Sequence, residues 1–194
     1  MVGNVAAVRV IPGRSSGTNR CRIDSCNEIE TLSHVLGSCP QGELLRHNRH
    51  NRVVNQLANE LRKNWTVLVE FTCISTDGSI RRVDLVIYNE DSRNGYILDP
   101  TVRFETDENQ PESVNEEKKR LYEPCIADIQ TKLKLKQLSV IGLMVGARGT
   151  IPKFFAEFCQ KFKINKSVIQ EIVTDVVRGS CRILHNHTYD PGRT

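Results

Sequence analysis

Between residues 41 and 64, apolar side chains return at helical spacing. Leu44, Leu45, Val53, Val54, Leu57 and Leu61 fall largely on one face, which predicts an amphipathic helix. The same stretch carries Arg46, His47, Arg49, His50 and Arg52. The pattern then changes to short runs of β-branched and aromatic residues. TVLVEFTCI over 66–74, IRRVDLVIYN over 80–89 and YILDPTV over 96–102 predict three strands, separated by turns at TDGS (76–79) and EDSRNG (90–95). A polar, acidic stretch, DENQPES, leads into a helix from about residue 112 to 122. Pro124 interrupts that helix and starts another, to about residue 135. LSVIGLMVGA over 138–147 is a nearly continuous apolar run, the pattern of a buried central strand. Residues 152–184 read as two helices broken near Asn165-Lys166-Ser167, and HNHTYDPGRT as a frayed tail. The order of helix, three strands, helices, strand, helices predicts an α/β fold with a small mixed sheet flanked by helices.

Composition narrows the partners. With 194 residues, the chain has room for one ordinary domain and a small appendage. A net charge of +4 suits a phosphate-bearing partner without requiring one. The opening MVGNVAAVRVIPGR is not read as a secretory leader, because its apolar part is short and no basic region precedes it. No apolar run approaches the ~20 residues that span a bilayer, so no membrane partner is expected. Seven cysteines, an odd number, argue against a disulfide framework and for a reducing, intracellular setting. Cys73, Cys125, Cys159 and Cys181 are scattered singly and read as core or near-surface residues.

The other three cysteines cluster. Cys21, Cys26, His34 and Cys39 are spaced C-x4-C-x7-H-x4-C, a donor set that suits tetrahedral Zn²⁺. His34 is expected on a short helix, with Cys39 just past Gly37. A closed four-ligand site leaves no position for a reacting water, which implies a structural or nucleic-acid-binding role.

Two aspartates stand inside otherwise apolar strands. Asp84 lies between Val83 and Leu85, and Asp99 follows Ile97 and Leu98. Aspartate is depleted in strands and costly to bury unless paired or metal-bound. On neighbouring strands of a hairpin the two face the same point, where two carboxylates suit Mg²⁺. The following helix offers Lys118 or Lys119 to orient a water or stabilise phosphorane charge, with Tyr122 a turn later. Pairing of the aspartates with Arg81, Arg82 or Arg103, and a solvated EEKKR face, is the competing reading. GARGT over 146–150 reads either as a phosphate-binding turn carrying Arg148 or as a plain tight turn. His185 and His187 read as solvated residues of a polar tail.

Taken together, CRIDSC...ETLSHVLGSC, RHNRHNRVVNQLA, RRVDLVIYN...GYILDPTVRFE, EEKKRLYEP and VIGLMVGARGTIP resemble the end of an R-two-type non-LTR retrotransposon polyprotein. The resemblance covers roughly residues 20 to 160, and HVLGSCP and LDPTVRFE are its most specific parts. It implies a basic linker over 1–20, a CCHC zinc knuckle over 21–40, a restriction-like endonuclease of the PD-(D/E)xK superfamily over 41–185, and a tail over 186–194. It also implies structural Zn²⁺ on Cys21, Cys26, His34 and Cys39, and catalytic Mg²⁺ on Asp84 and Asp99. The assisting lysine comes from the helix, as Lys118 or Lys119, because Thr101 occupies the usual strand position. Arg46, Arg49, His50 and Arg52 are the expected nucleic-acid contacts. The partners implied are target DNA and, as a second candidate, the element's RNA, with no small-molecule cofactor, and the location implied is nuclear. Val83 replaces the proline that the family usually has before its first aspartate. No reverse transcriptase precedes the knuckle in this chain, so a fragment, a decayed copy or a host gene is expected. Two functions are compatible with these features: a metal-dependent endonuclease that nicks target DNA, or a non-catalytic, zinc-dependent DNA- or RNA-binding module. A decayed product without function is the third expectation.

Overall fold

The computed structural model describes residues 19–190. The linker expected over 1–20 lies almost wholly outside the described residues, as do the last four residues of the expected tail. Among the described residues, six α-helices and four strands occur in the order α1 (Leu32–Gly37), α2 (Glu43–Leu61), β1 (Thr66–Ile74), β2 (Ile80–Asn89), β3 (Asn94–Arg103), α3 (Gln110–Tyr122), α4 (Ile126–Leu133), β4 (Gln137–Gly146), α5 (Lys153–Lys161) and α6 (Lys166–Tyr189). The sheet order is β1-β2-β3-β4. The first three strands are antiparallel, and β4 runs parallel to β3 after the crossover through α3 and α4. The α/β fold with a mixed sheet flanked by helices is as the sequence pattern predicts.

Helices cover both faces. Leu57 and Leu61 of α2, Phe155 and Phe158 of α5, and Ile172 and Val176 of α6 pack against Leu85, Ile87, Leu98, Leu143 and Val145. On the other face Tyr122, Cys125 and Ile129 pack against Val83, Val86, Ile97 and Val140. Full burial of each such large apolar side chain contributes about 1.5–3 kcal/mol, so the core rests on many contacts rather than one.

Strand alternation slips by one residue at a single level of the sheet. Leu85 and Ile87 face α2, α5 and α6, whereas Val83, two residues earlier, packs with Val86 on the α3–α4 side. In β1, Val67 and Val69 face the first layer and Phe71 and Cys73 the second. Glu70, at the slip, has a φ of 52°. By register Glu70 lies beside Asp84, so the two strands bulge together and the side chains on either side of the bulge point to opposite layers.

Two expectations change. The apolar run of β4 was expected to be central, yet β4 ends the sheet. Its outer edge is covered by α3, whose Asn115 Oδ1 accepts from the Gly142 backbone N at 3.0 Å, so the strand is buried without a second neighbour strand. The tail was expected from residue 185, yet α6 continues to Tyr189 and His187 is buried, because the last turn packs into the Cys/His segment. Among the described residues, no helix is long and apolar enough to cross a membrane.

The approach of α3 depends on Gly142. A Cβ there would lie 2.7 Å from Cβ and Cγ of Lys118 and 3.0 Å from Cα of Asn115. Gly142→Ala is expected to lower stability by about 1–3 kcal/mol through overpacking, read by urea unfolding. A change below about 0.5 kcal/mol, the range of a neutral surface substitution, would contradict so close a contact.

Candidate active site and metal site

The β2–β3 ladder runs from Asn89↔Asn94 to Leu85↔Leu98 and stops. The next residue on β2 is Asp84 and the next on β3 is Asp99, so the two acids flank the fork where the strands part. Beyond the fork β2 continues against β1, and β3 continues against β4. Pro100 has no N–H to offer a neighbouring strand, which suits a strand whose antiparallel partner has left.

The surroundings of the two acids differ. Asp99 is 3% exposed, and Lys118 Nζ lies 3.0 Å from its Oδ1. Burial pushes the Asp99 carboxyl up, and Asp84 adds to this. Lys118 pulls against it, with a hydrogen bond from the Tyr122 hydroxyl assisting. Burial, then Asp99, pushes the Tyr122 phenol up, so it stays a donor. Asp84 is half-buried, with Oδ2 3.4 Å from His50 Nε2. That hydrogen bond raises the His50 pKa against the opposing effect of burial. Asp84, Asp99, Lys118, Tyr122 and His50 therefore form one cluster. Lys119 is not in it, because its Nζ pairs with Glu116 at 2.7 Å on the exposed side of α3. One residue along a helix is a turn of about 100°, which separates the two lysines.

The expected basic contacts also separate. Arg49 is 3% exposed, and its guanidinium donates to Ser180 Oγ at 2.7 Å and to the Leu36 carbonyl at 3.0 Å. Burial lowers its pKa to about 10. It is a strut between α1, α2 and α6, and it also lines the groove between α1, α2 and the end of β3. Its side chain lies under Gly179, where a Cβ would meet Arg49 Cγ at 2.9 Å, and this close helix crossing encloses it. Arg46 donates to the Cys39 carbonyl at 2.6 Å. Arg52 is exposed and 3.5 Å from Asp175. Arg148 pairs with Glu105 at 3.1 Å and lies over the Phe104 ring, in a turn closed by Gly149.

A groove of about 640 Å³ runs between α1, α2 and the end of β3, lined by Ser33, Arg46, His47, His50, Thr101 and Arg103 among others. His50 also lines a second hollow of about 270 Å³ that reaches Asp84. His47 and Arg103 were not among the expected contacts. The signal for Arg103 was its position directly after the LDPTV strand run.

Cys21, Cys26, His34 and Cys39 place one donor atom each within 4.8 Å of one another. Cys21 Sγ and Cys39 Sγ are 3.8 Å apart, and Cys26 Sγ and His34 Nε2 are 3.4 Å apart. Tetrahedral Zn²⁺ with ~2.3 Å bonds to sulfur and ~2.0 Å bonds to nitrogen sets these edges at about 3.8 and 3.5 Å. The donor set fits, and the group is able to bind zinc. Thr31 caps α1 by accepting from the His34 backbone N, which fixes the turn that presents the imidazole. Burial pushes the Cys21 thiol up to about 12 in the absence of a cation.

Comparison with known proteins finds no matching family model. The chain is similar to Retrovirus-related Pol polyproteins from type-1 retrotransposable elements R2. One from Popillia japonica is 32% identical over 152 residues, covering 76% of this chain and 30% of the relative. A second from Popillia japonica is 29% identical over 189 residues, covering 95% and 30%. One from Bradysia coprophila is 28% identical over 181 residues, covering 89% and 19%. The chain thus spans less than a third of the length of these relatives.

The burial of Arg49 makes a specific prediction. Arg49→Ala is expected to cost about 2–4 kcal/mol in urea unfolding, because it orphans the buried Leu36 carbonyl and Ser180 hydroxyl. His47→Ala is expected to leave stability within about 0.5 kcal/mol. An Arg49→Ala protein of unchanged stability would contradict the strut.

Proposed function

Starting from the chain's homology to the Pol polyproteins of type-1 retrotransposable elements R2, we propose that it is a metal-dependent endonuclease module of the restriction-like type, nicking DNA. The observation that carries this reading is the fork of β2 and β3, with Asp84 and Asp99 on its two arms and Lys118 over Asp99. A buried acid whose charge is disfavoured by burial, with a second acid beside it, is a donor set for a divalent cation. Mg²⁺ held by Asp84 and Asp99 would activate a water and neutralise phosphate charge. Lys118, 3.0 Å from Asp99, would be placed to orient that water and to stabilise developing negative charge. The Tyr122 hydroxyl helps to hold the Asp99 pKa down, and His50 Nε2 lies 3.4 Å from Asp84 Oδ2. The basic groove beside the acids, with Arg46, His47 and Arg103, is the track for the DNA backbone. Cys21, Cys26, His34 and Cys39 form the knuckle, where zinc would be structural because the four ligands close the site.

The experiment is nicking of supercoiled plasmid by the purified chain with Mg²⁺. Wild type is expected to convert plasmid to open circle. Asp84→Ala and Asp99→Ala are expected to abolish this, and Lys118→Ala to slow it by roughly 10²-fold or more, the scale of a lost assisting group. Lys119→Ala is expected to remain within about threefold, since a solvated side chain has no transition-state contact to lose. Salt-sensitive DNA binding with no nicking by any protein would exclude the nuclease and leave the non-catalytic binding module. Equal losses for Lys118→Ala and Lys119→Ala would contradict the assignment of the lysine.

A further inference from the structure

The last turn of α6 ends inside the Cys/His segment. His187 is 2% exposed and Glu30 is fully buried. His187 Nε2 lies 3.1 Å from Glu30 Oε2 and 3.8 Å from Cys21 Sγ, and its Nδ1 lies 3.6 Å from Cys39 Sγ. The ring therefore presents both nitrogens to two of the four donors. It is not one of that set. The mutually close four are Cys21, Cys26, His34 and Cys39, whereas His187 groups only with Cys21 and Glu30. Glu30 is in turn fixed by Arg22, whose backbone N donates at 2.8 Å and whose Nη2 donates at 2.6 Å. Two further bonds tie the same turn of α6 down. Arg22 Nη1 donates to the Thr188 carbonyl at 3.1 Å, and Gln41 Nε2 donates to Asn186 Oδ1 at 3.4 Å.

This arrangement has a chemical rationale. Three thiolates around one divalent ion leave a net negative charge, and Glu30 adds another in a buried place. A ring nitrogen that carries its N–H toward a thiolate or the carboxylate gives the cluster one more buried donor, beside the Arg22 groups that already hold Glu30. Partners outside the ligand set orient metal sites and commonly carry 10–100-fold in affinity. We propose that His187, held by Glu30, is a positioning residue of the Cys/His metal site. It braces Cys21 and Cys39 from outside, so that metal binding and docking of the last turn of α6 are one linked event. The far end of the chain thereby becomes part of the knuckle. The proposal rests on the reading of the four residues as metal ligands.

The test uses Co²⁺ as the probe on the whole chain. Affinity and visible absorption are measured for wild type, His187→Ala, His187→Gln, Glu30→Gln and His34→Ala. Amide exchange over residues 184–189 is followed with and without metal. Wild type is expected to give a tetrahedral spectrum and slower exchange in that segment when loaded. His187→Ala is expected to keep the spectrum, bind Co²⁺ 10–100-fold more weakly and lose the metal-dependent protection. Glu30→Gln is expected to weaken binding in the same direction, and His187→Gln to fall between wild type and His187→Ala. His34→Ala is expected to change the spectrum itself. Unchanged affinity in His187→Ala, or wild-type exchange that ignores metal, would overturn the proposal. So would an altered spectrum in His187→Ala with a normal one in His34→Ala, since His187 would then be a ligand. Wild type that takes up no Co²⁺ would sink the metal reading itself, and the proposal with it.

Discussion

A buried carboxylate needs a compensating charge or hydrogen bonds, and Asp99 is the residue around which this protein meets that demand. It stands where the β2–β3 ladder ends, in a place dry enough to push its carboxyl up. Lys118 reaches it only because α3 lies tight on β4, and α3 lies tight only because residue 142 has no side chain. Asp99 and Gly142 are partners in the β3–β4 ladder, so the notch is level with the acid it serves. The same contact gives the Gly142 N–H on the outer edge of β4 an acceptor from α3 in place of a further strand. The bulge at Glu70 and Asp84 completes the fork from the other strand pair.

The Cys/His segment is built into the rest of the fold rather than hung from it. Arg49 ties the end of α1 to α6, and the Gly179 crossing encloses it. His187 and Glu30 tie the end of α6 back to the cysteines. The walls of the groove are thereby supplied by segments far apart in sequence, from Ser33 to Gln110. In the proposed function, this coupling sets beside a nucleic-acid backbone a groove whose walls include Ser33 and Ser38, next to His34 and Cys39 in sequence, and His50, which pairs with Asp84. The rigidity of that groove comes from buried polar bonds that are costly to leave unmade.

Much of this was legible in the chain. β1 and β2 occupy the stretches that their runs of branched and aromatic residues mark, because turns at 76–79 and 90–95 leave little freedom in register. Asp84 and Asp99 announced themselves as acids in apolar strands. The choice between Lys118 and Lys119 was not legible, since adjacent helical residues differ only in which way they face, and the packing of α3 sets that. Arg49 looked like its exposed neighbours because a basic run carries no mark of which member meets another helix. His187 looked solvated because its local sequence is polar, and its burial comes from residues more than 140 positions away. The slip in strand alternation has no compositional sign, because Val83 and Leu85 are equally apolar.

The most direct test of the paired-acid site is diffraction from crystals soaked in Mn²⁺, measured at the manganese absorption edge. The account predicts an anomalous peak between the Asp84 and Asp99 carboxylates, absent in Asp99→Asn. A protein whose Asp99 stays locked to Lys118 with no peak at the fork would contradict it, and the two aspartates would then be a structural ion-pair network.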